Sequence, residues 1–212
     1  MTYYRTIFES KLFKLYDFGF NLVFFGYGNK LRKLIAKVIN KNNKPKYILD
    51  MATGTGSVAI ELKKMFSDAN VIGIDLSKIM LSVAEKKAKK KNIKIDFMLS
   101  DIEKTNFQKN KFDAVTISFA LHELPEKDRY NVMKEAYRIS KKQGVFAIMD
   151  FSLPKNIILK LLQSVLFKIA EEDYAKTILN ENLEKELNNI GFKDIKKELI
   201  FFNCVQLIKA VK

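Results

Sequence analysis

Residues 49–60 read LDMATGTGSVAI, and within them Gly54-Thr55-Gly56-Ser57-Val58-Ala59 satisfies the G-x-G-x-x-G/A spacing of a nucleotide-binding loop. Glycines between a strand and a helix let the backbone approach a ligand closely, and the helix N-terminus offers unpaired N–H groups. Asp75 lies 19 positions after Gly56, at the end of the next apolar run, where a carboxylate can accept both hydroxyls of a ribose. Both features suit a nicotinamide dinucleotide and an adenosyl ligand alike. Asp50 separates the two. A carboxylate immediately before the loop suits a ligand bearing an ammonium group and is poorly placed beside a pyrophosphate. Asp101, in LSDIEK, follows the third apolar run, where it can accept the amino group of an adenine. His122 is the only histidine and follows the fourth apolar run. It reads either as a general base or orienting group for a reactant, or as the cap of the turn before Pro125. Glu123 and Asp150 are weaker candidates; Asp150 closes the fifth run and could line the pocket.

These residues need a scaffold that brings several strand ends to one edge. Short apolar runs over Tyr47–Asp50, Val71–Ile74, Ile95–Leu99, Phe112–Phe119 and Gly144–Phe151 predict five strands. Helical patterns over Ser57–Met65, Lys78–Lys91 and Pro125–Ser140 alternate with them, which implies parallel strands joined by crossover helices, the α/β class. A helix over Leu183–Ile190 stops at Gly191. Ile195–Phe201 and Val205–Val211 then predict an antiparallel pair. The expected fold is a Rossmann-like three-layer sandwich whose seven-stranded sheet is mostly parallel with an antiparallel C-terminal strand. Residues 1–46 read as an N-terminal helical extension, with Leu12, Leu15 and Tyr16 and later Leu31, Leu34, Ile35 and Val38 at helical spacing; 47–212 form the main domain. Ile158, Leu161, Leu162, Val165 and Ile169 form an apolar helical stripe, read either as packing on the sheet or as a cover over a lipophilic substrate.

The net charge is +14, yet only Arg5, Arg32, Arg129 and Arg138 are arginines. Arginine is the residue expected for bidentate recognition of phosphates and bases, so the composition argues against a nucleic-acid reader. The charge is uneven: residues 1–46 hold ten basic groups against Glu9 and Asp17. The same stretch interleaves lysines with Tyr3, Tyr4, Phe8, Phe13, Phe18, Phe20, Phe24 and Phe25. That pattern reads either as peripheral contact with an anionic membrane or as a lid with lysines in water. No run reaches the ~18 apolar residues of a membrane span. Met1–Ser10 lacks a signal-peptide pattern, and Cys204 is the only cysteine. A cytoplasmic, or membrane-peripheral, location is the expectation.

The sequence resembles the class I S-adenosylmethionine-dependent methyltransferases. YILDMATGTGSVAIEL is similar to the first motif of that class, VIGIDLSKIMLSVAEKKA to its second-strand region and FMLSDIEK to its adenine region. KFDAVTISFALHEL and AYRISKKQGVFAIMDFS are similar to its fourth- and fifth-strand regions. Within the class, the runs FDAVTISF, GIDLSKIML and DFSLP, and YDFGFNLVFFG near the start, resemble the ubiquinone/menaquinone-biosynthesis C-methyltransferases. The resemblance implies S-adenosyl-L-methionine as cofactor. Asp50, Ala52, Gly54, Thr55 and Gly56 would surround its methionine part, and Asp75 would bind its ribose. Leu76 and Ile102 would sandwich the adenine, Asp101 would accept its amino group, and Ser118 would sit beside the methyl-bearing sulfur. The chain departs from the family pattern at Ala52, where glycine is usual, at LHEL after the fourth strand, at SKKQG in place of a Pro-Gly-Gly turn, and in a short stretch before the last hairpin.

A sulfonium methyl is an activated electrophile, so alignment and exclusion of water supply much of the acceleration. A general base is needed where the acceptor holds its proton, and His122 is the candidate. The implied acceptor is a small or lipid-like molecule, a quinone-like carbon or an amine nitrogen. Ser118-Phe119-Ala120-Leu121 does not match the acidic-or-Asn-Pro-Pro-aromatic motif of exocyclic amino-methyltransferases. Ser118 also cannot supply the carboxylate of a metal-assisted transfer, and no Cys/His cluster suggests zinc. Three alternatives stay open: an RNA methyltransferase, an NAD-dependent oxidoreductase with the same loop, and a sensor that binds the cofactor without transfer.

Overall fold

The computed structural model describes residues 24, 26–39, 44–170, 178–179 and 182–212, the side chains of 165–170 excepted. The Leu12–Tyr16 pattern and the aromatic positions from Tyr3 to Phe20, with Phe25, lie outside the described residues.

Helix α1 (Gly28–Val38) precedes β1 (Tyr47–Met51), and α2 (Ser57–Met65), β2 (Asn70–Asp75), α3 (Lys78–Lys90) and β3 (Asp96–Leu99) follow. Strand β4 (Phe112–Ser118), a 3₁₀ turn (Leu121–Glu123), α4 (Glu126–Ile139), β5 (Ser140–Phe151) and α5 (Ile157–Ala170) come next. The chain closes with α6 (Leu183–Ile190), β6 (Lys193–Ile200) and β7 (Val205–Val211). The strands form one seven-stranded sheet in the order β3-β2-β1-β4-β5-β7-β6. Strands β1 to β5 pair in parallel, while β7 runs antiparallel to both β5 and β6. The terminal hairpin therefore does not extend the sheet edge in chain order. Its second strand inserts beside β5.

Alternation along the strands builds two cores. On one face Leu49, Met51, Ile74, Val115, Ile117, Phe146 and Ile148 pack against Val132, Met133 and Ala136 of α4 and Leu183 and Leu187 of α6. On the other, Ile48, Val71, Ala114, Val145 and Ala147 pack against Leu31 and Ile35 of α1 and Val58 and Leu62 of α2. The result is the expected three-layer sandwich. Local chemistry sets the helix ends. Ser77 caps α3 by accepting the Met80 N–H, and Gly191 ends α6 in a left-handed conformation.

Two expectations change. Strand β5 starts at Ser140, so SKKQG lies inside a bulged strand rather than in a turn: pairing slips between Phe112↔Ser140 and Ala114↔Val145, with Gln143 at φ 63°. Gly144 is required there, because a Cβ would stand 2.8 Å from the Lys141 carbonyl oxygen. The apolar stripe of α5 does not pack on the sheet over its first two turns, where Ile157, Ile158, Leu161 and Leu162 are all exposed. No helix among the described residues is long and apolar enough to cross a membrane.

Candidate active site

The strand order turns between β1 and β4, and the crevice beyond their C-terminal ends is where α/β sheets of this kind bind ligands. All the sequence-predicted residues belong to that edge. After β1 the chain reverses through Ala52 and Gly54, both left-handed at φ 50° and 53°, and Gly56 at φ 73°. The turn is tied to the next strand: Thr53 N–H donates to the Ile74 carbonyl at 2.9 Å, and Gly54 N–H donates to Asp75 Oδ2 at 2.8 Å. Gly56 lets the loop sit down on the layer below, since a Cβ there would meet Ala84 at 2.8 Å and Phe97 at 2.9 Å. Gly54 faces open space, with nothing within 4 Å of where its Cβ would be. That opening is a cradle in which a ligand can approach the backbone.

Asp50 is fully buried at the end of β1. Its two oxygens accept Oγ1 hydrogen bonds from Thr53 and Thr116, each at 2.7 Å. Burial pushes its carboxyl up to about 6 despite those bonds. Among the described residues no cation pairs with it. A buried carboxylate held by two hydroxyls and the Ala59 backbone N–H, with no cation beside it, is suited to a positively charged ligand group, and the ammonium of S-adenosylmethionine would fit it. Asp75 accepts from Gly54 N–H and Ser77 N–H, both at 2.8 Å, and burial raises its carboxyl as well. Leu76 beside it is exposed. Asp101 accepts the Glu103 N–H at 2.8 Å in its own turn, and Ser100 N–H ties that turn to the Asp75 carbonyl. Ile102 is buried in the core on the α4 side. Thr55 is buried, and its Oγ1 accepts from Lys87 Nζ at 2.9 Å.

The second half of the edge is built differently. Ser118 ends β4 half-buried, opposite Met149 of β5. The following 3₁₀ turn carries His122, which is buried, and its Nδ1 stands 2.7 Å from Asp150 Oδ1. With a carboxylate as acceptor, Nδ1 is the protonated nitrogen and Nε2 the basic one. Asp150 Oδ2 also accepts the Leu121 N–H at 2.9 Å, so one carboxylate fixes both the turn and the ring. An aromatic cluster adjoins the pair through Phe151. Phe151 lies edge-on to His122 at 4.7 Å, Phe119 and Phe151 meet at 5.2 Å, and Phe24 touches Phe119, Phe151 and Phe201. Glu123 Oε1 is 4.0 Å from His122 Nε2.

Sequence reasoning named His122 and Asp150 separately and did not join them. They are 28 residues apart, and only the β4–β5 pairing brings them together. It also passed over Thr53 and Thr116, which hold Asp50, and Gly73, where a Cβ would meet Phe97 at 2.8 Å and Thr53 Oγ1 at 2.9 Å. Gly73 could have been noticed as a glycine within an apolar strand; the threonines carry no such mark.

Residues 2–181 match the ubiE/COQ5 methyltransferase family. A demethylmenaquinone methyltransferase of Lactobacillus johnsonii is 33% identical over 200 residues, covering 85% of this chain and 81% of its own. The demethylmenaquinone methyltransferase of Chlorobaculum tepidum is 31% identical over 219 residues, covering 93% and 87%. Among solved structures, a SAM dependent methyltransferase from Aquifex aeolicus superposes with a TM-score of 0.60 at 20% identity, covering 78% of this chain and 81% of its own. The magnesium protoporphyrin IX methyltransferase of Synechocystis PCC 6803, solved with SAH bound, gives 0.63 at 20% identity, covering 86% and 82%. At that identity the two structures speak for the fold.

Proposed function

The chain belongs to the ubiE/COQ5 methyltransferase family and is an S-adenosylmethionine-dependent methyltransferase of a small or lipid-like acceptor; from that premise we propose that the acceptor is a reduced quinone of the demethylmenaquinol type, methylated at a ring carbon. The nicotinamide alternative falls with the family. The observation that carries the proposal is the buried His122–Asp150 pair at the ends of β4 and β5, walled by Phe119 and Phe151. Flat aromatic walls suit a planar ring. A hydroquinone carbon becomes a good nucleophile when a ring hydroxyl gives up its proton, and a positioned base contributes about 10²–10⁴-fold to such a step.

In this reading the cofactor, when bound, supplies an activated methyl group. Asp50 would face its ammonium, the backbone at Ala52, Gly54, Thr55 and Gly56 would hold its methionine part, and Asp75 would accept the ribose hydroxyls. Leu76 and Ile102 would flank the adenine, Asp101 would accept a hydrogen bond from its amino group, and Ser118 would stand near the sulfur. His122 Nε2 takes the acceptor's hydroxyl proton, with Asp150 holding the imidazole in the tautomer that can do so. Once the methyl has joined the ring carbon, that carbon gives up its own hydrogen as a proton and the hydroxyl is restored, so that the quinol ring is aromatic again and one proton is released overall. Phe24 packs on Phe119 and Phe151, which supports a covering role for that part of the N-terminal extension at the acceptor end. The lysines and aromatics before Phe24 suit peripheral contact with an anionic bilayer.

Incubating the purified protein with S-adenosylmethionine and a short-chain demethylmenaquinol tests the proposal. The expected product carries one added methyl on a ring carbon. Methylation of oxygen or of an amine acceptor, with the quinol untouched, would contradict it.

A further inference from the structure

We propose that the exposed face of α5, together with the tip of the β6–β7 turn, docks the protein on an anionic lipid bilayer. Four large aliphatic side chains lie on two successive turns of α5. Ile157, Ile158, Leu161 and Leu162 are 65%, 64%, 61% and 53% exposed. The helix is fixed with this face outward, because buried Gln163 points back and donates through Nε2 to the Ser152 carbonyl at 3.0 Å. Ser152 N–H donates in turn to the Cys204 carbonyl, which brings the β6–β7 turn to the base of the same helix. That turn holds Phe201, Phe202 and Asn203 in three consecutive left-handed conformations, at φ 49°, 56° and 66°. Bulky residues rarely adopt such a backbone. Here it sends Phe201 into the ring cluster around Phe24 and leaves Phe202 outward, 74% exposed.

Charge argues for a bilayer rather than a protein partner or a second copy of the chain. Residues 151–164 contain Lys155 and Lys160, both exposed, and no carboxylate, and residues 199–206 carry no charge at all. The chain as a whole is at +14. Self-association would bring lysine against lysine. An aliphatic face with lysines at its border inserts shallowly among lipid headgroups, with anionic lipid supplying the counter-charge. The face begins six residues after Phe151, at the end of the sheet where His122 and Asp150 lie, so docking would present that end to the bilayer.

Flotation with vesicles of phosphatidylcholine alone, and with a third of the lipid as phosphatidylglycerol, tests this without acceptor or turnover. Its outcome is therefore independent of the acceptor assignment. Wild type should bind the anionic vesicles and lose binding as salt rises. Ile158→Gln with Leu161→Gln keeps helix-forming residues at exposed sites. That variant should lower the partition at least about tenfold. Phe202→Ser should lower it too, and Lys155→Gln and Lys160→Gln roughly fivefold each. Melting temperature and methyl transfer to a water-soluble quinol should stay at the wild-type value in the Ile158/Leu161 variant. Unaltered vesicle binding in that variant would overturn the proposal by assigning the contact to another part of the chain. Absence of wild-type binding would overturn it as well, and so would a concentration-dependent dimer in sedimentation velocity that the same variant abolishes.

Discussion

The ends of β1 to β3 and the ends of β4 and β5 lie along one edge of one sheet, yet they are assembled by different means. On the first side the backbone sets the geometry: a left-handed glycine loop crosses over β2, and Asp75 and Asp101 accept N–H groups within a few residues or from the adjoining strand. On the second side the geometry comes from side chains that meet across the sheet: His122 reaches Asp150 and packs on Phe151, whose ring joins a cluster with Phe24 and Phe119. The first side suits a ligand common to many enzymes. The second suits the part of the reaction particular to one acceptor.

The largest expected effect lies on the second side. Asp150→Asn should lower kcat by about 10²–10⁴, as expected when a base loses the group that sets its tautomer, while cofactor affinity stays within about twofold. Because His122 is the only histidine, the ¹⁵N imidazole signals of the untagged protein belong to it alone. They should shift from the Nδ1–H toward the Nε2–H form in the variant. A purely structural role for Asp150 would lower stability and leave the tautomer unchanged.

A second, intermediate effect probes the first side. Burial pushes the Asp50 carboxyl up to about 6 in the folded chain, against an ordinary value of 3.8 when it is exposed in the unfolded chain. The folded form thus holds the proton more tightly than the unfolded form, so the ligand-free protein is more stable below pH 4 on this account and loses that stability as pH rises through 6. The loss is on the order of 3 kcal/mol. Asp50→Asn should abolish this dependence and weaken S-adenosylhomocysteine by about 1.5–3 kcal/mol, because its ammonium loses a charged partner. Wild-type affinity for that ligand should fall about tenfold per pH unit below 6. Calorimetric titration between pH 5 and 8 checks both.

The smallest effect concerns Ala52. At φ 50° an alanine bears about 1–2 kcal/mol that a glycine would not, offset partly by glycine's greater freedom when unfolded. Ala52→Gly should therefore raise stability by about 1 kcal/mol, near 2–4 °C in Tm for a chain of this size. An unchanged or lower Tm would mean that surrounding packing favours the methyl group.

Much of this division was legible in the sequence. The strands, crossover helices and terminal hairpin follow from period and punctuation, and Leu183–Ile190 ends at Gly191 as read. The placement of Asp50, Gly54, Gly56 and Asp75 at one strand-turn-helix edge was legible because it is set by short spacing along the chain. The His122–Asp150 pair was not, since its register depends on which strand lies beside β4. The bulge at Gln143 was hidden too, because SKKQG has the composition of a turn. Which of its two readings the apolar stripe of α5 fits was not legible for a further reason: such a stripe records only that a helix has a greasy side, not what that side meets.

In the proposed mechanism the carboxylate side holds the cofactor and the His122–Asp150 side activates the acceptor. His122→Ala tests it most directly, with S-adenosylhomocysteine affinity measured by calorimetry alongside turnover of a short-chain demethylmenaquinol. Affinity should stay within about twofold of wild type while kcat falls by about 10²–10⁴. Retained turnover, or a loss explained by weakened cofactor binding, would contradict it.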